Sequence, residues 1–140
     1  MGAAIDPSLN VSPTPIRALV IDDEPYSILP LISLLNRLGI VTRYTSDAEN
    51  ASVELQMEKY DLIIMDWVYS ENDGDEVLRF IREILPNECM VPVVIYSGLE
   101  GCQSEVPEEY SDMITYVWKK PMRPDEIIRD LALLLPLEWS

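Results

Sequence analysis

Short apolar runs alternate along the chain with stretches that have the period of a helix. The runs Ala18–Ile21, Leu62–Met65, Val91–Tyr96 and Ile114–Trp118 are hydrophobic almost throughout, which is typical of strands covered on both faces. A further strand is predicted at about Ile40–Thr45. Strands that alternate with helices predict βαβ units, so we expect a doubly wound α/β fold with five parallel strands in the order 2-1-3-4-5.

The helical stretches have recognisable beginnings and ends. The last one begins at Pro124 with two acids in its first turn, where the helix dipole favours negative charge. Pro30 lies inside the first helix and should kink it or delay its start. The predicted helices are Pro25–Leu38, a second from a cap at Ser46 or Asp47 to Glu58, a third from about Gly74 to Pro86, and the last from Pro124.

The segment between the fourth and fifth strands fits this pattern poorly. A helix is expected between Gly98 and Asp112, but Gly101 and Pro107 fall within it. Because glycine and proline weaken or break helices, the sequence predicts a short or distorted helix there.

Length and composition predict one domain. The chain has 140 residues, 48% of them hydrophobic, enough for a single core. Residues 1–16 contain three prolines and little periodicity, so we expect a flexible tail followed by a domain over residues 17–140. No apolar run approaches the roughly 20 residues that span a bilayer, and the amino terminus does not resemble a secretory signal. With two cysteines and no CxxC spacing, reduced thiols in a cytoplasmic protein are expected.

The charged residues and the lack of histidine exclude several functions. The net charge is −15, so neither nucleic acid nor an anionic membrane, which both attract basic residues, is an expected partner. The chain has no histidine, which excludes Ser-His and Cys-His nucleophiles, a histidine metal site and a phosphohistidine on this chain. If phosphoryl groups are transferred here, their donor must be another molecule.

Polar groups with complementary chemistry follow the predicted strands. Asp22 and Asp23 come after the first strand, and Asp66 comes after the third. Ser97 follows the fourth strand, and Lys120 follows the fifth. Because the carboxyl ends of parallel strands share one edge of a sheet, we expect these side chains to converge. Three carboxylates, a hydroxyl and an ammonium suit a divalent cation together with a phosphoryl group.

Asp66 is the candidate nucleophile of this set. A carboxylate can attack phosphorus and form an aspartyl phosphate, but a cation must reduce the repulsion between the two anions. Asp23 and Asp66 offer the oxygen ligands that Mg²⁺ prefers, and Asp22 could act through a water. Taken singly, every one of these residues except Asp66 is better explained as a cap, a turn residue or a solvated charge. Together, at four strand ends, they make coincidence improbable.

From Arg17 to about Leu135 the chain resembles the receiver domain of two-component response regulators. That module has a flavodoxin-like fold and accepts phosphate from a histidine kinase. The resemblance rests on five segments: Leu19-Val20-Ile21-Asp22-Asp23-Glu24-Pro25, Tyr60-Asp61-Leu62-Ile63-Ile64-Met65-Asp66, Asp73-Gly74, Pro92-Val93-Val94-Ile95-Tyr96-Ser97-Gly98 and Lys120-Pro121.

The resemblance implies a role for each residue of the set. Asp66 would be the phosphoacceptor, Lys120 the lysine that contacts phosphate, and Ser97 the switch hydroxyl. The peptide between Lys120 and Pro121 is expected to be cis, as is usual in the family. No enzymatic activity is expected beyond self-phosphorylation from a phosphodonor and autodephosphorylation. The implied magnesium ligands are Asp22, Asp23, Asp66 and the backbone carbonyl of Val68.

The chain departs from the family's pattern at two places. Tyr69-Ser70 stand where Met-Pro is common after the phosphoacceptor. The position of the usual switch aromatic is Val117, so its neighbours Tyr116 and Trp118 are the switch candidates. The expected mechanism is that phosphorylation draws Ser97 toward Asp66 and an aromatic turns into the space left behind.

Several other functions fit the residues less well. A haloacid-dehalogenase-type phosphatase needs a second acid where Val68 stands, and a calcium loop around Gly74 would place Tyr69 in its first ligand position. A nucleotide-binding flavodoxin-like protein needs a glycine-rich loop after the first strand, whereas this chain has acids there. The serious alternative is a pseudo-receiver, a phosphorylation-independent interaction module.

The implied partners are proteins. A histidine kinase or a histidine phosphotransfer protein would donate the phosphoryl group, and an unknown protein would read the output. A homodimer could form through the face made by the helix expected between Gly98 and Asp112, the fifth strand and the last helix. The same residues fit a stand-alone regulator, a phosphorelay intermediate and the receiver of a longer chain.

Overall fold

One five-stranded parallel sheet organises the chain in the computed structural model, which describes residues 15–67, 73–84, 91–98, 106 and 108–135. Its strand order, β2-β1-β3-β4-β5, confirms the predicted doubly wound α/β fold. All four neighbouring strand pairs are parallel, as βαβ units require. The strands are β1 (Arg17–Ile21), β2 (Val41–Thr45), β3 (Leu62–Met65), β4 (Val93–Ser97) and β5 (Ile114–Lys119).

The helices begin close to where the sequence predicts them. Asp47 is the N-cap of the second helix, because its carboxylate accepts a hydrogen bond of 2.7 Å from the backbone N–H of Asn50. The first helix begins at Pro25, so Pro30 lies within it without delaying its start. The α-helices in the described part of the chain are α1 (Pro25–Arg37), α2 (Ala48–Met57), α3 (Asp73–Ile84) and α4 (Pro124–Leu134).

Helices cover both faces of the sheet and enclose two apolar clusters. On one face, α1 and α4 pack their stripes against residues such as Val20, Ile64 and Val94. On the other face, α2 and α3 pack against alternate residues of the same strands, such as Ile63 and Ile95. The central strands are therefore buried on both sides, which explains why their sequences are apolar throughout rather than alternating.

A 3-10 helix, Glu108–Met113, precedes β5 and agrees with the short or distorted helix predicted in this region. Its Tyr110 is buried in the cluster that α2 and α3 cover. Arg82 of α3 holds it in place by donating a hydrogen bond of 2.7 Å to the carbonyl of Glu109. Residues 99–105 and 107 of the predicted helical segment lie outside the described residues.

An irregularity in β5 decides which way its side chains point. Val93 pairs with Ile114, but Val94 pairs with Tyr116, so one extra residue stands in β5 at this point. Beyond it, Val117 faces the cluster under α2 and α3, whereas Tyr116 and Trp118 face the cluster under α1 and α4.

The predicted amino-terminal tail falls mostly outside the described residues, which begin at Pro15. Ile16, assigned to that tail, packs against the cluster under α1 and α4, and its carbonyl accepts a hydrogen bond of 2.8 Å from Val41 N–H. The ordered contacts of the domain therefore include Ile16. No helix within the described ranges has the length and apolar character needed to cross a membrane.

Candidate functional site

Three carboxylates meet at the carboxyl edge of the sheet. One oxygen each from Asp22, Asp23 and Asp66 lies within 4.8 Å of the others. The backbone places them, because the ladder continues one residue beyond the strands: Asp22 N–H donates to the carbonyl of Thr45 at 3.1 Å, and Asp66 N–H donates to that of Ile21 at 2.9 Å. The parallel sheet thus brings together acids that are more than 40 positions apart in the sequence.

Asp22 is the buried member of this cluster, with a side chain only 1% exposed. Its Oδ1 accepts a hydrogen bond of 2.8 Å from Glu24 N–H, and its Oδ2 lies 2.6 Å from Nζ of Lys120. The Lys120 side chain is 17% exposed, so water screens this ion pair only weakly. Both oxygens of Asp22 are therefore already engaged, and Asp23 and Asp66 are the more available ligands.

Lys120 reaches the cluster from the end of β5. Its Nζ lies 3.7 Å from Oδ1 of Asp66 and 5.4 Å from the centre of the Tyr96 ring. Its backbone N–H donates to the carbonyl of Ser97 at 2.9 Å, which fixes the loop beside β4. The peptide between Lys120 and Pro121 is cis, as expected.

The surroundings of Asp66 disfavour its ionised form. Burial raises the pKa of Asp66 above its ordinary value; Lys120 acts in the opposite direction, and Asp22 and Asp23 raise the pKa further by repulsion. A hydrogen bond with Ser97 lowers the pKa of Asp66, but the net direction is upward. A carboxylate in such surroundings gains from a bound cation that offsets the negative charge.

The donor set fits a magnesium ion. Mg²⁺ requires oxygen ligands in octahedral geometry and commonly uses one or two carboxylates, with waters and phosphate oxygens completing the shell. Asp23 is exposed and Asp66 is half-buried, so both present carboxylate oxygens toward solvent at one place. Val68, whose carbonyl is the other predicted ligand, lies outside the described residues, as do Tyr69 and Ser70.

Ser97 lies at the same edge, beside the loop that follows β3. Its hydroxyl is buried and donates a hydrogen bond of 3.1 Å to the carbonyl of Trp67, directly after Asp66. Ser97 follows the alternation of Val93 and Ile95, so its side chain belongs to the face that α2 and α3 cover.

The two aromatic switch candidates lie on the opposite face from Ser97. Trp118 is buried, packs edge-on against Tyr96 with 5.9 Å between ring centres, and donates its indole N–H to Asp130 at 2.9 Å. Tyr116 stacks on Trp118 at 6.5 Å. Rotation of either ring into space beside Ser97 would have to cross the sheet, so the structure favours neither residue for that movement.

Three residues that touch the site were not singled out from the sequence. Ser27 lies 3.1 Å from the ammonium of Lys120, and the Tyr96 ring lies beneath that ammonium. Tyr44 donates its hydroxyl to the carbonyl of Asp22; burial, followed by repulsion from Asp22 and Asp23, raises the pKa of Tyr44. Tyr44 could have been found, because it lies at the carboxyl end of β2, next to β1. The contact of Ser27 has no sequence signal.

Comparison with known proteins yields one family. A family model described as the response regulator receiver domain matches residues 18–132. The cell cycle response regulator CtrA of Brucella ovis is 29% identical over 114 residues, which cover 81% of this chain and 47% of that protein. The gliding motility regulatory protein of Myxococcus xanthus is 32% identical over 84 residues, 60% of this chain and 11% of that protein. The chain therefore spans less than half the length of these two relatives.

The fold is also shared with solved structures. The receiver domain of a sensor histidine kinase from Pseudomonas aeruginosa PAO1 superposes with a TM-score of 0.70 at 22% identity, over 86% of this chain and 98% of that one. That structure contains a magnesium ion coordinated in its active-site cleft.

Proposed function

This chain belongs to the response regulator receiver domain family, and on that premise we propose that Asp66 accepts a phosphoryl group from a histidine kinase or a histidine phosphotransfer protein. The observation that carries the proposal is the meeting of three carboxylates and one ammonium at a single edge of the sheet. The raised pKa of Asp66, which disfavours its ionised form, supports a functional role over a purely structural one.

Each residue has a part in the proposed transfer. A carboxylate oxygen of Asp66 attacks phosphorus, the bond from phosphorus to the donor's imidazole nitrogen breaks, and an aspartyl phosphate remains. Asp23, Asp66 and the Val68 carbonyl would hold Mg²⁺, with Asp22 acting through water, and the ion would supply the positive charge that reduces repulsion between carboxylate and phosphate. Lys120, 3.7 Å from Asp66, is placed to contact an oxygen of the arriving group.

The proposed output begins at Ser97. Its hydroxyl leaves the Trp67 carbonyl, now 3.1 Å away, and donates instead to a phosphoryl oxygen on Asp66. That movement shifts the protein between two conformational populations, which differ in the surface near the 3-10 helix and β5. An unidentified protein, or a second copy of the chain, would bind the two populations differently. Equal affinity of that partner for the phosphorylated and unphosphorylated forms would contradict this step. The proposal includes a cytoplasmic location for the domain.

Intact-mass spectrometry tests the transfer directly. The protein is incubated with magnesium and a small phosphodonor, acetyl phosphate or phosphoramidate, beside the variants Asp66→Asn and Asp61→Asn. Asp61 precedes the same strand at its other end and is a matched control for loss of one carboxylate. We expect one phosphoryl adduct on the wild type and on Asp61→Asn, and none on Asp66→Asn. No adduct on folded wild-type protein would refute the proposal and support the phosphorylation-independent module instead.

A further inference from the structure

The Ser27 hydroxyl in the first turns of α1 contacts the ammonium of Lys120 at 3.1 Å. We propose that Ser27 is a positioning residue, which holds this ammonium beside Asp22 and away from the attacking carboxylate of Asp66. The consequence of this placement for phosphoryl transfer rests on the proposed function. The placement of Lys120 itself can be tested without any transfer.

Three oxygen atoms lie near Nζ of Lys120. The ammonium has three hydrogens to donate. Oδ2 of Asp22 takes one at 2.6 Å, and the oxygen of Ser27 is within hydrogen-bonding distance at 3.1 Å. Oδ1 of Asp66 lies at 3.7 Å, too far for a normal hydrogen bond. Two acceptors therefore hold the ammonium on one side of the cluster, while its attraction to Asp66 remains.

Ser27 is itself fixed as an acceptor. Its hydroxyl has a single hydrogen, and the nearest partner for it is the carbonyl of Glu24 at 2.9 Å, with Oδ2 of Asp22 farther away at 3.3 Å. A hydroxyl that donates to Glu24 keeps its lone pairs for the ammonium. The backbone N–H of Ser27 also donates to the Glu24 carbonyl, at 3.1 Å. The start of α1 thus sets where the oxygen of Ser27 lies.

The position of the Lys120 ammonium matters because a direct hydrogen bond from it would occupy a carboxylate oxygen of Asp66. Such a bond would engage the oxygen that must attack phosphorus or bind the cation. Without the Ser27 hydroxyl, Asp66 becomes the next acceptor available to the ammonium, and their opposite charges favour the contact. Ser27→Ala should therefore weaken Mg²⁺ binding and slow phosphorylation through one cause, the approach of Lys120 to Asp66.

The first readout is magnesium affinity, measured by calorimetry. We expect Ser27→Ala to bind Mg²⁺ about three- to tenfold more weakly than wild type, which corresponds to part of one charge-assisted hydrogen bond. Ser27→Thr keeps a hydroxyl at the same place and should restore wild-type affinity. Ser33→Ala makes the same change farther along α1, at another exposed serine, and should have no effect.

The decisive comparison is made in a Lys120→Met background. If Ser27 acts through Lys120, Ser27→Ala has no further effect on magnesium affinity once the ammonium is gone. An equal loss in both backgrounds would show that Ser27 acts on Asp22 or on α1 alone, and would overturn the proposal. So would a Ser27→Ala affinity within twofold of wild type.

Phosphorylation rates with phosphoramidate give the second readout. Ser27→Ala should be phosphorylated about three- to tenfold more slowly at saturating magnesium, with Ser27→Thr close to wild type. If wild-type protein takes up no phosphoryl group at all, the proposed function fails, whereas the magnesium comparison still decides the role of Ser27. The two failures are therefore distinguishable.

Discussion

The two ends of the parallel sheet both carry dense groups of charged residues, but they differ in how the charges are matched. Near the amino end, Glu58 and Glu54 each pair with a guanidinium group, and Glu54 also accepts from the Tyr60 hydroxyl. The third acid, Asp61, accepts a hydrogen bond from the backbone N–H of Arg17. At the carboxyl end, three carboxylates face the single ammonium of Lys120. The members of the amino-end cluster are Arg17, Arg43, Glu54, Glu58, Tyr60 and Asp61, and those of the carboxyl-end cluster are Asp22, Asp23, Asp66 and Lys120.

The ends also differ in exposure to water. The Arg43 and Glu54 side chains of the amino-end cluster are 55% and 23% exposed, whereas those of Lys120 and Asp22 are 17% and 1% exposed. Burial, reinforced by repulsion from Asp22 and Asp23, raises the pKa of Asp66, and a bound cation would offset this cost. The imbalance of charge under partial burial, rather than the number of charges, makes the carboxyl end the candidate functional site.

Breaking one ion pair at each end of the sheet should give the largest difference between the two clusters, and the difference is in the free energy of unfolding. Lys120→Met leaves Asp22 buried without its cation, and we expect a loss of about 3 kcal/mol in the free energy of unfolding. Arg43→Met breaks an exposed pair with Glu54 and should cost below about 1 kcal/mol. Urea denaturation of both variants beside wild type measures the two losses. Losses of equal size would contradict the contrast in burial.

Removing one carboxylate from each cluster should give two variants that differ in their affinity for magnesium. Asp23→Asn takes away an available oxygen ligand, and we expect the Mg²⁺ affinity to fall at least about tenfold. Glu58→Gln, at the other end of the sheet, should leave the affinity unchanged. Calorimetric titration of magnesium measures both. A fall in Glu58→Gln as large as that in Asp23→Asn would mean that general surface charge, not the site, attracts the ion.

The raised pKa of Asp66 predicts a pH-dependent gain in stability for Asp66→Asn. The folded state holds the Asp66 proton more tightly than the unfolded state does, so the stability contributed by that proton is present at acid pH and is lost as pH rises through the folded pKa. At pH 7 the ionised carboxylate therefore destabilises the fold, and the neutral amide should raise Tm by about 3 °C, or about 1 kcal/mol.

Thermal unfolding at a series of pH values checks the direction of the Asp66 pKa shift. The advantage of Asp66→Asn should shrink as pH falls toward 3.8, the ordinary value of an aspartate. Magnesium at pH 7 should also reduce it, because the ion stabilises the wild-type carboxylate. An advantage that grows on acidification would show that the pKa of Asp66 is lowered rather than raised.

The smallest expected effects come from one hydroxyl at each end. Tyr60→Phe removes a hydrogen bond of 2.6 Å to Glu54 and should cost about 1 kcal/mol of stability without changing magnesium affinity. Tyr44→Phe removes the hydroxyl that holds the Asp22 carbonyl and should weaken magnesium binding about twofold, since the cluster loses a restraint. Unfolding and magnesium titrations on both variants give the comparison. Equal magnesium affinities in the two variants would argue against a role for Tyr44.

Much of the fold could be predicted because its determinants are local. Runs such as Leu62–Met65 are apolar at every position, and few structures other than a strand buried on both faces accommodate so short a run. Asp47 and Pro124 mark helix starts by their own chemistry, and the structure agrees with both. The observed ends of β4 and β5 differ from the predicted ones by one or two residues, since hydrogen bonds to neighbouring strands decide where a strand stops.

The orientation of β5 could not be predicted in the same way. Tyr116 and Trp118 were switch candidates because they flank Val117 in sequence. Which of the three shares a face with Ser97 depends on the extra residue in β5 near its pairing with Val93 and Val94. One inserted residue reverses the face of everything beyond it, and nothing in the local sequence announces it.

By itself, the sequence determined the alternation of strands and helices, and it placed acids, a hydroxyl and a lysine after particular strands. Since parallel strands bring their carboxyl ends to one edge, that pattern was enough to predict which of these residues would meet. Only the tertiary structure decided how they meet: Lys120 lies beside Asp22 rather than Asp66, Ser27 contacts its ammonium, and the aromatic rings of β5 lie on the far face. Distances of this kind depend on rotamers, register and neighbouring helices, which are set by contacts between segments far apart in the chain.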